Sequence, residues 1–167
     1  MRQKGFTLIE LLIVIALLGA LAVGLLATID PFEQLKKGRD TSLRNTTAEF
    51  YNANLRYYST KGKFPWATDA SYTSALVGGQ TDVLTELITV GELKTRFYTL
   101  AGSANLNKIY LSSTDPENLA VCFKPESKSF QEDPVTLFDS NGSSEVSGTC
   151  KSEAAGTAGQ DCYYCVQ

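Results

Sequence analysis

Residues 6–29 form a continuous apolar run broken by one ionisable residue, Glu10. A helix needs about 20 apolar residues to cross a bilayer, so the run predicts a membrane-spanning helix; Gly19 and Gly24 are tolerated in that setting. Asp30-Pro31 follows directly. A proline inside a helix removes a backbone hydrogen bond and disfavours helix at the residue before it, so the helix is expected to end, kink or locally melt near Asp30. Helical spacing resumes over residues 33–58. Leu43, Thr47, Phe50 and Tyr57 fall on one face, and Ala48, Tyr51, Leu55 and Tyr58 on the adjoining one. Arg39, Asp40, Arg44 and Glu49 supply the polar side. There are too few heptads for a coiled-coil arm, so this reads as the second half of a long spine packed on a sheet. Lys61-Gly62-Lys63-Phe64-Pro65-Trp66 ends it, with a glycine cap signal and a proline stop.

Beyond the spine a loop is expected through Gly78-Gly79. A helix follows over residues 82–90, with Val83, Leu84, Leu87 and Ile88 at helical spacing and Gly91 as its stop. Residues 108–112 and 119–124 read as two strands joined by the turn Asp115-Pro116-Glu117-Asn118. Phe130 and residues 135–138 suggest a short further strand, and residues 163–166 a terminal one. Residues 139–161 are rich in Gly, Ser, Thr and Ala and show no periodicity. These elements predict an α+β fold, a long N-terminal helix packed on a small antiparallel sheet.

Composition sharpens this picture where it is uneven. A hydrophobic content of 43% is ordinary for a soluble protein, but here it averages an oily N-terminus with a polar body. The length of 167 residues suits one domain of modest core plus an appended segment. A net charge of −3 argues against bulk attraction to nucleic acid. The chain has no histidine, which removes the commonest general base and the commonest metal ligand. No phosphate-binding loop appears and the carboxylates fall in surface-like stretches, so no enzymatic activity is expected.

Glu10 is the residue that asks for an explanation. A carboxylate at the centre of a membrane helix costs roughly 2.5–3.5 kcal/mol, less near an end, and usually has a partner. No cation lies one or two turns downstream. A cut between Gly5 and Phe6 would create an α-amino group about one turn from Glu10, on the same chain or on a neighbour, and that amine is a natural counter-ion. A cleavable secretory signal ending near Gly19-Ala20-Leu21-Ala22 is the simpler alternative, but the apolar run continues past that point and Glu10 heads it.

Lys4-Gly5-Phe6-Thr7-Leu8-Ile9-Glu10-Leu11-Leu12-Ile13-Val14-Ile15-Ala16 resembles the class III signal of type IV pilins and type II secretion pseudopilins. The resemblance is strong over residues 4–30, looser to about residue 66, and only architectural beyond. The Gly62-Lys63-Phe64-Pro65 helix end is also similar to this family. The resemblance implies a leader of residues 1–5, a transmembrane and polymerisation helix over 6–30, an amphipathic half over 31–60 and a globular domain over 61–167. It implies cleavage between Gly5 and Phe6 by a prepilin peptidase acting near Lys4, N-methylation of Phe6, and a loosening of the helix at Pro31 within the filament. It implies that Glu10 sits opposite the N-terminal amine of an adjacent subunit and sets axial register.

The implied function is a filament subunit serving adhesion, twitching motility or DNA uptake; the alternative is the major pseudopilin of a type II secretion system. Implied partners are identical subunits, minor pilins, the peptidase, and an assembly platform with its ATPase. The implied route runs from a single-pass inner or cytoplasmic membrane precursor to an extracellular pilus. The positive-inside bias points the other way, since Lys36, Lys37, Arg39 and Arg44 outnumber Arg2 and Lys4. Family topology and the cysteines place the body outside.

The four cysteines, Cys122, Cys150, Cys162 and Cys165, allow three pairings and suit an oxidising compartment. Cys150–Cys162 would close the aperiodic tract and Cys122–Cys165 would staple the terminal strand to the sheet; Cys162–Cys165 with Cys122–Cys150 competes. A zinc site has only one Cys-x2-Cys pair to draw on. Asp139, Asn141 and Glu145 space oxygen ligands somewhat like a calcium loop, and pseudopilins offer a precedent, although a solvated turn is the favoured reading. No cofactor is otherwise expected.

Overall fold

Helix α1, Leu8–Thr28, is built from the apolar run and is about 31 Å long at 1.5 Å per residue. The computed structural model describes residues 5–28, 30–66, 72–115, 118–142 and 161–167. It divides the chain into two compact units, residues 1–35 and residues 36–167. In the first unit, α1 starts with a capping box. Thr7 Oγ1 accepts the Glu10 amide at 3.3 Å, while Glu10 Oε2 accepts the Thr7 amide and hydroxyl, both at 2.8 Å. At the other end the Thr28 hydroxyl donates to the Leu25 carbonyl at 2.7 Å. Helix α2, Pro31–Lys61, then begins afresh. Asp30 Oδ1 accepts the amides of Phe32 at 3.0 Å and Glu33 at 3.3 Å, and Pro31 takes the first helical position, where its missing N–H removes no bond. Asp30-Pro31 is therefore a helix start as much as a helix stop.

In the second unit, α2 continues to Lys61 and turns off at Gly62, whose φ of +67° is the left-handed conformation that glycine adopts without a Cβ clash. Its buried face is Asp40, Leu43, Thr47, Phe50, Ala53, Asn54 and Tyr57. Asp40 is a correction to its expected place on the polar side: it is fully buried. Strand β1, Tyr72–Leu76, is followed by a 3₁₀ turn, Val77–Gly79, where a loop was expected. A Cβ at Gly78 would lie 2.0 Å from the Asn107 side chain, so a larger residue there would have to displace that side chain. Helix α3, Thr81–Thr89, buries Val83, Leu84 and Leu87 as its spacing predicted, and Gly91 follows at φ +87°. Two short helices, α4 (Phe97–Ala101) and α5 (Ser103–Leu106), fill the stretch before the sheet.

Strands β2 (Ile109–Asp115) and β3 (Asn118–Phe123) form the expected hairpin, with residues 116 and 117 of its turn outside the described residues. Strand β4, Tyr164–Val166, pairs with β3, giving a four-stranded antiparallel sheet of order β1-β2-β3-β4. Phe130 lies on a short helix, α6 (Lys128–Gln131), not on a strand, and Phe138 makes only an isolated bridge to Tyr163. Its hydroxyl-accepting carbonyl explains the difference: Phe130 O takes the buried Thr136 hydroxyl at 2.7 Å and holds the chain in a turn. The core joins Leu43 and Phe50 of α2 to Leu106, Ile109, Leu111, Val121 and Phe123, the α+β arrangement expected from the pattern.

Candidate assembly site

Every described side chain of α1 is exposed, and its span Leu8–Leu26 has a mean hydropathy of 2.8 with none of it buried. Phe6, which precedes the helix, is 87% exposed. Gly19 and Gly24 face open space. An apolar cylinder this long and bare is stable only in lipid or against other apolar surfaces.

Glu10 lies in the first turn of that cylinder, where the helix dipole favours a negative charge. Both of its hydrogen bonds from Thr7 reach one oxygen, Oε2. No other hydrogen bond to its carboxylate is found among the described residues, so Oε1 is left to accept a further donor. The capping box thus answers part of the puzzle of an acid in an oily helix, because it supplies local donors without any cation. This cap escaped the sequence reading, which sought only a cation for Glu10; the Thr7-x-x-Glu10 spacing is the signal that could have found it. Lys4 lies outside the described residues; Gly5 and Phe6 are described, and Gly5 has open space around it.

The body places the other candidate residues as follows. Cys122 and Cys165 face each other across β3 and β4 and form a disulfide, which excludes the pairing of Cys162 with Cys165. Cys162 is also disulfide-bonded, and its expected partner, Cys150, lies outside the described residues. Asp139 Oδ1 accepts the Asn141 amide at 2.9 Å, and the Ser74 hydroxyl bonds both Asn141 Oδ1 and, at 2.7 Å, Ser140 Oγ. The two oxygen groups named for calcium are therefore used in closing the loop onto β1; Glu145 lies outside the described residues. Among the described residues no group of three or more Asp, Glu or Cys converges as a metal site would require.

One clustered acid escaped the sequence. Asp40 Oδ2 accepts the Ser127 amide at 2.7 Å and its hydroxyl at 2.6 Å, and the two carboxylate oxygens share the Glu126 amide at 3.0 and 3.1 Å. It ties the middle of α2 to the start of α6. Beside it, Lys108 donates to Glu126 at 2.5 Å and Arg39 lies 3.7 Å away. The Lys108 hydrogen bond, with the charges of Lys108, Arg39 and Lys36, holds the Glu126 carboxyl below the usual carboxylate range.

No curated protein and no solved structure matches the chain. A family model described as the prokaryotic N-terminal methylation motif matches residues 1–26, the segment that holds Phe6, the Thr7–Glu10 cap and the whole exposed apolar span Leu8–Leu26. The chain therefore carries the class III signal of type IV pilins and pseudopilins.

Proposed function

We propose that the chain is a structural subunit of a type IV pilus, not an enzyme: a prepilin cut between Gly5 and Phe6, N-methylated on Phe6 and polymerised through α1. The observation that carries this reading is the bare apolar helix with one acid, Glu10, whose second carboxylate oxygen has room for another donor. Cleavage would supply that donor as the Phe6 amine of a neighbouring subunit. Charge pairing in the apolar centre of a filament is strong, and it fixes the axial offset between subunits.

On this reading the precursor is a single-pass membrane protein, and the assembled form is an extracellular filament used in adhesion, twitching motility or DNA uptake. Its partners are identical subunits, minor pilins, the prepilin peptidase and the assembly platform with its ATPase. The stapled C-terminal region, with β4 held to β3 by a disulfide, supports a surface-exposed pilus over a short periplasmic pseudopilus. A pseudopilin remains the second reading because it shares the same N-terminal chemistry; calcium-dependent thermal stability of the full chain would favour it.

The test is direct. Mass analysis of the filament subunit should give a chain beginning at a methylated Phe6. Glu10→Ala should leave precursor in the membrane and cut surface filaments sharply. A chain beginning elsewhere, or normal piliation by the variant, would contradict the reading.

A further inference from the structure

The loop that begins Asp139-Ser140-Asn141-Gly142-Ser143 carries a second chemistry: Asn141-Gly142-Ser143 has the Asn-x-Ser spacing of an acceptor for N-linked glycan. Asn45-Thr46-Thr47 has the equivalent Asn-x-Thr spacing, and the fold separates the two. Asn45 is exposed but lies inside helix α2, and the Thr47 that completes its motif is fully buried. Asn141 lies in a turn and is partly exposed; Ser143 is outside the described residues. A glycan acceptor belongs on a surface loop, which only Asn141 offers.

The turn is tied down on both sides of the acceptor. Asp139 Oδ1 accepts the Asn141 amide at 2.9 Å, and the Asp139 carbonyl accepts the Gly142 amide at 3.1 Å. Gly142 is buried at φ +69°, and an added Cβ would lie 2.5 Å from the Ala120 Cβ and 3.4 Å from Cys122 Sγ, so this residue seats the turn on β3. Asn141 Oδ1 accepts the Ser74 hydroxyl, while its Nδ2 donates to nothing among the described residues. Nδ2 is the atom that N-linked transfer uses. A glycosylated amide keeps its oxygen as an acceptor, so the Ser74 bond survives the modification. The Cys122–Cys165 disulfide suits an oxidising compartment, the setting of exported surface loops that carry such glycans.

We propose that Asn141 is an acceptor for N-linked glycan, with a lipid-pyrophosphate-linked glycan as the donor class. The bond from Asn141 Nδ2 to the anomeric carbon forms as the bond from that carbon to the pyrophosphate oxygen breaks. The lipid pyrophosphate leaves with the bonding pair, and Nδ2 gives up one proton. The inference takes from the proposed function only the export of the body and needs no filament.

Mass spectrometry of glycopeptides, from the full chain extracted from the cells that make it, tests this. A sugar-sized mass increment is expected on Asn141 and none on Asn45. Asn141→Gln and Ser143→Ala should each abolish it, and Ser143→Thr should keep it; the Ser143 pair decides the matter should Asn141→Gln fail to fold. The increment should persist in Glu10→Ala, so a failure of filament assembly and a failure of this inference read differently. An unmodified Asn141, or one showing only the mass gain of Asn-Gly deamidation, would overturn the proposal. So would an increment that survives Ser143→Ala or sits on Asn45.

Discussion

Asp40 sits on the stripe that Leu43, Thr47, Phe50, Asn54 and Tyr57 continue at steps of three and four residues. That spacing was legible, yet an acid on an apolar stripe reads as belonging to the neighbouring polar face until its partners, 86 and 87 residues away, are known. Its carboxylate is satisfied by amides and a hydroxyl, so Asp40→Ala leaves those buried donors unpaired and should lower stability by about 2–4 kcal/mol in denaturant unfolding of the detergent-solubilised chain. Thr47 is the opposite case. Its buried hydroxyl has no hydrogen-bond partner among the described residues, so Thr47→Val, nearly the same in shape, should raise stability by about 1 kcal/mol in the same assay. Glu126 sets an acid limit. Its folded-state pKa is lowered below the usual 4.5, so its contribution is present above that value and lost as pH falls through the folded value. Wild-type stability should therefore drop more steeply than that of Glu126→Gln on acidification below about pH 4.5; parallel curves would contradict the assignment. The carboxyl is partly exposed, so the difference is expected to be modest.

At the scale of elements, the strongly periodic segments were the readable ones. Helices α1, α2 and α3 announce themselves by apolar spacing, and the β2–β3 hairpin by two apolar runs around a Pro-containing turn. Strand β1 does not, for two physical reasons. Tyr72-Thr73-Ser74-Ala75-Leu76 has little apolar contrast, and Ser74 at φ +50° breaks the alternation where the register with β2 shifts. Helices α4 and α5 are single turns set by the burial of Phe97, Ala101 and Leu106 in the core, which no local pattern encodes. The sheet's last strand has only three residues and depends on a crosslink. Cys122 and Cys165, 43 residues apart, are bonded across β3 and β4. Replacing both by Ser should cost about 2–4 kcal/mol and release β4, read as faster amide exchange at Tyr164–Val166. Unchanged exchange would show that packing alone holds the strand.

For the whole molecule, the two units have opposite solvent requirements. The body buries apolar residues in a main core and in a smaller cluster around Cys122 and Cys165, while no described residue of α1 is buried. The N-terminal chemistry was legible because a long apolar run with one acid at a fixed distance from a glycine is rare by chance. The body's clamps and grooves were not, because they are made by residues far apart in sequence. Everything turns on what meets Glu10 once α1 is packed among its copies. A cryo-electron microscopy structure of the assembled filament measures this directly. It should show a chain that begins at Phe6, with its amine within about 4 Å of a neighbouring Glu10 carboxylate. A filament that retains residues 1–5, or one in which Glu10 faces lipid or solvent with no amine beside it, would contradict the account.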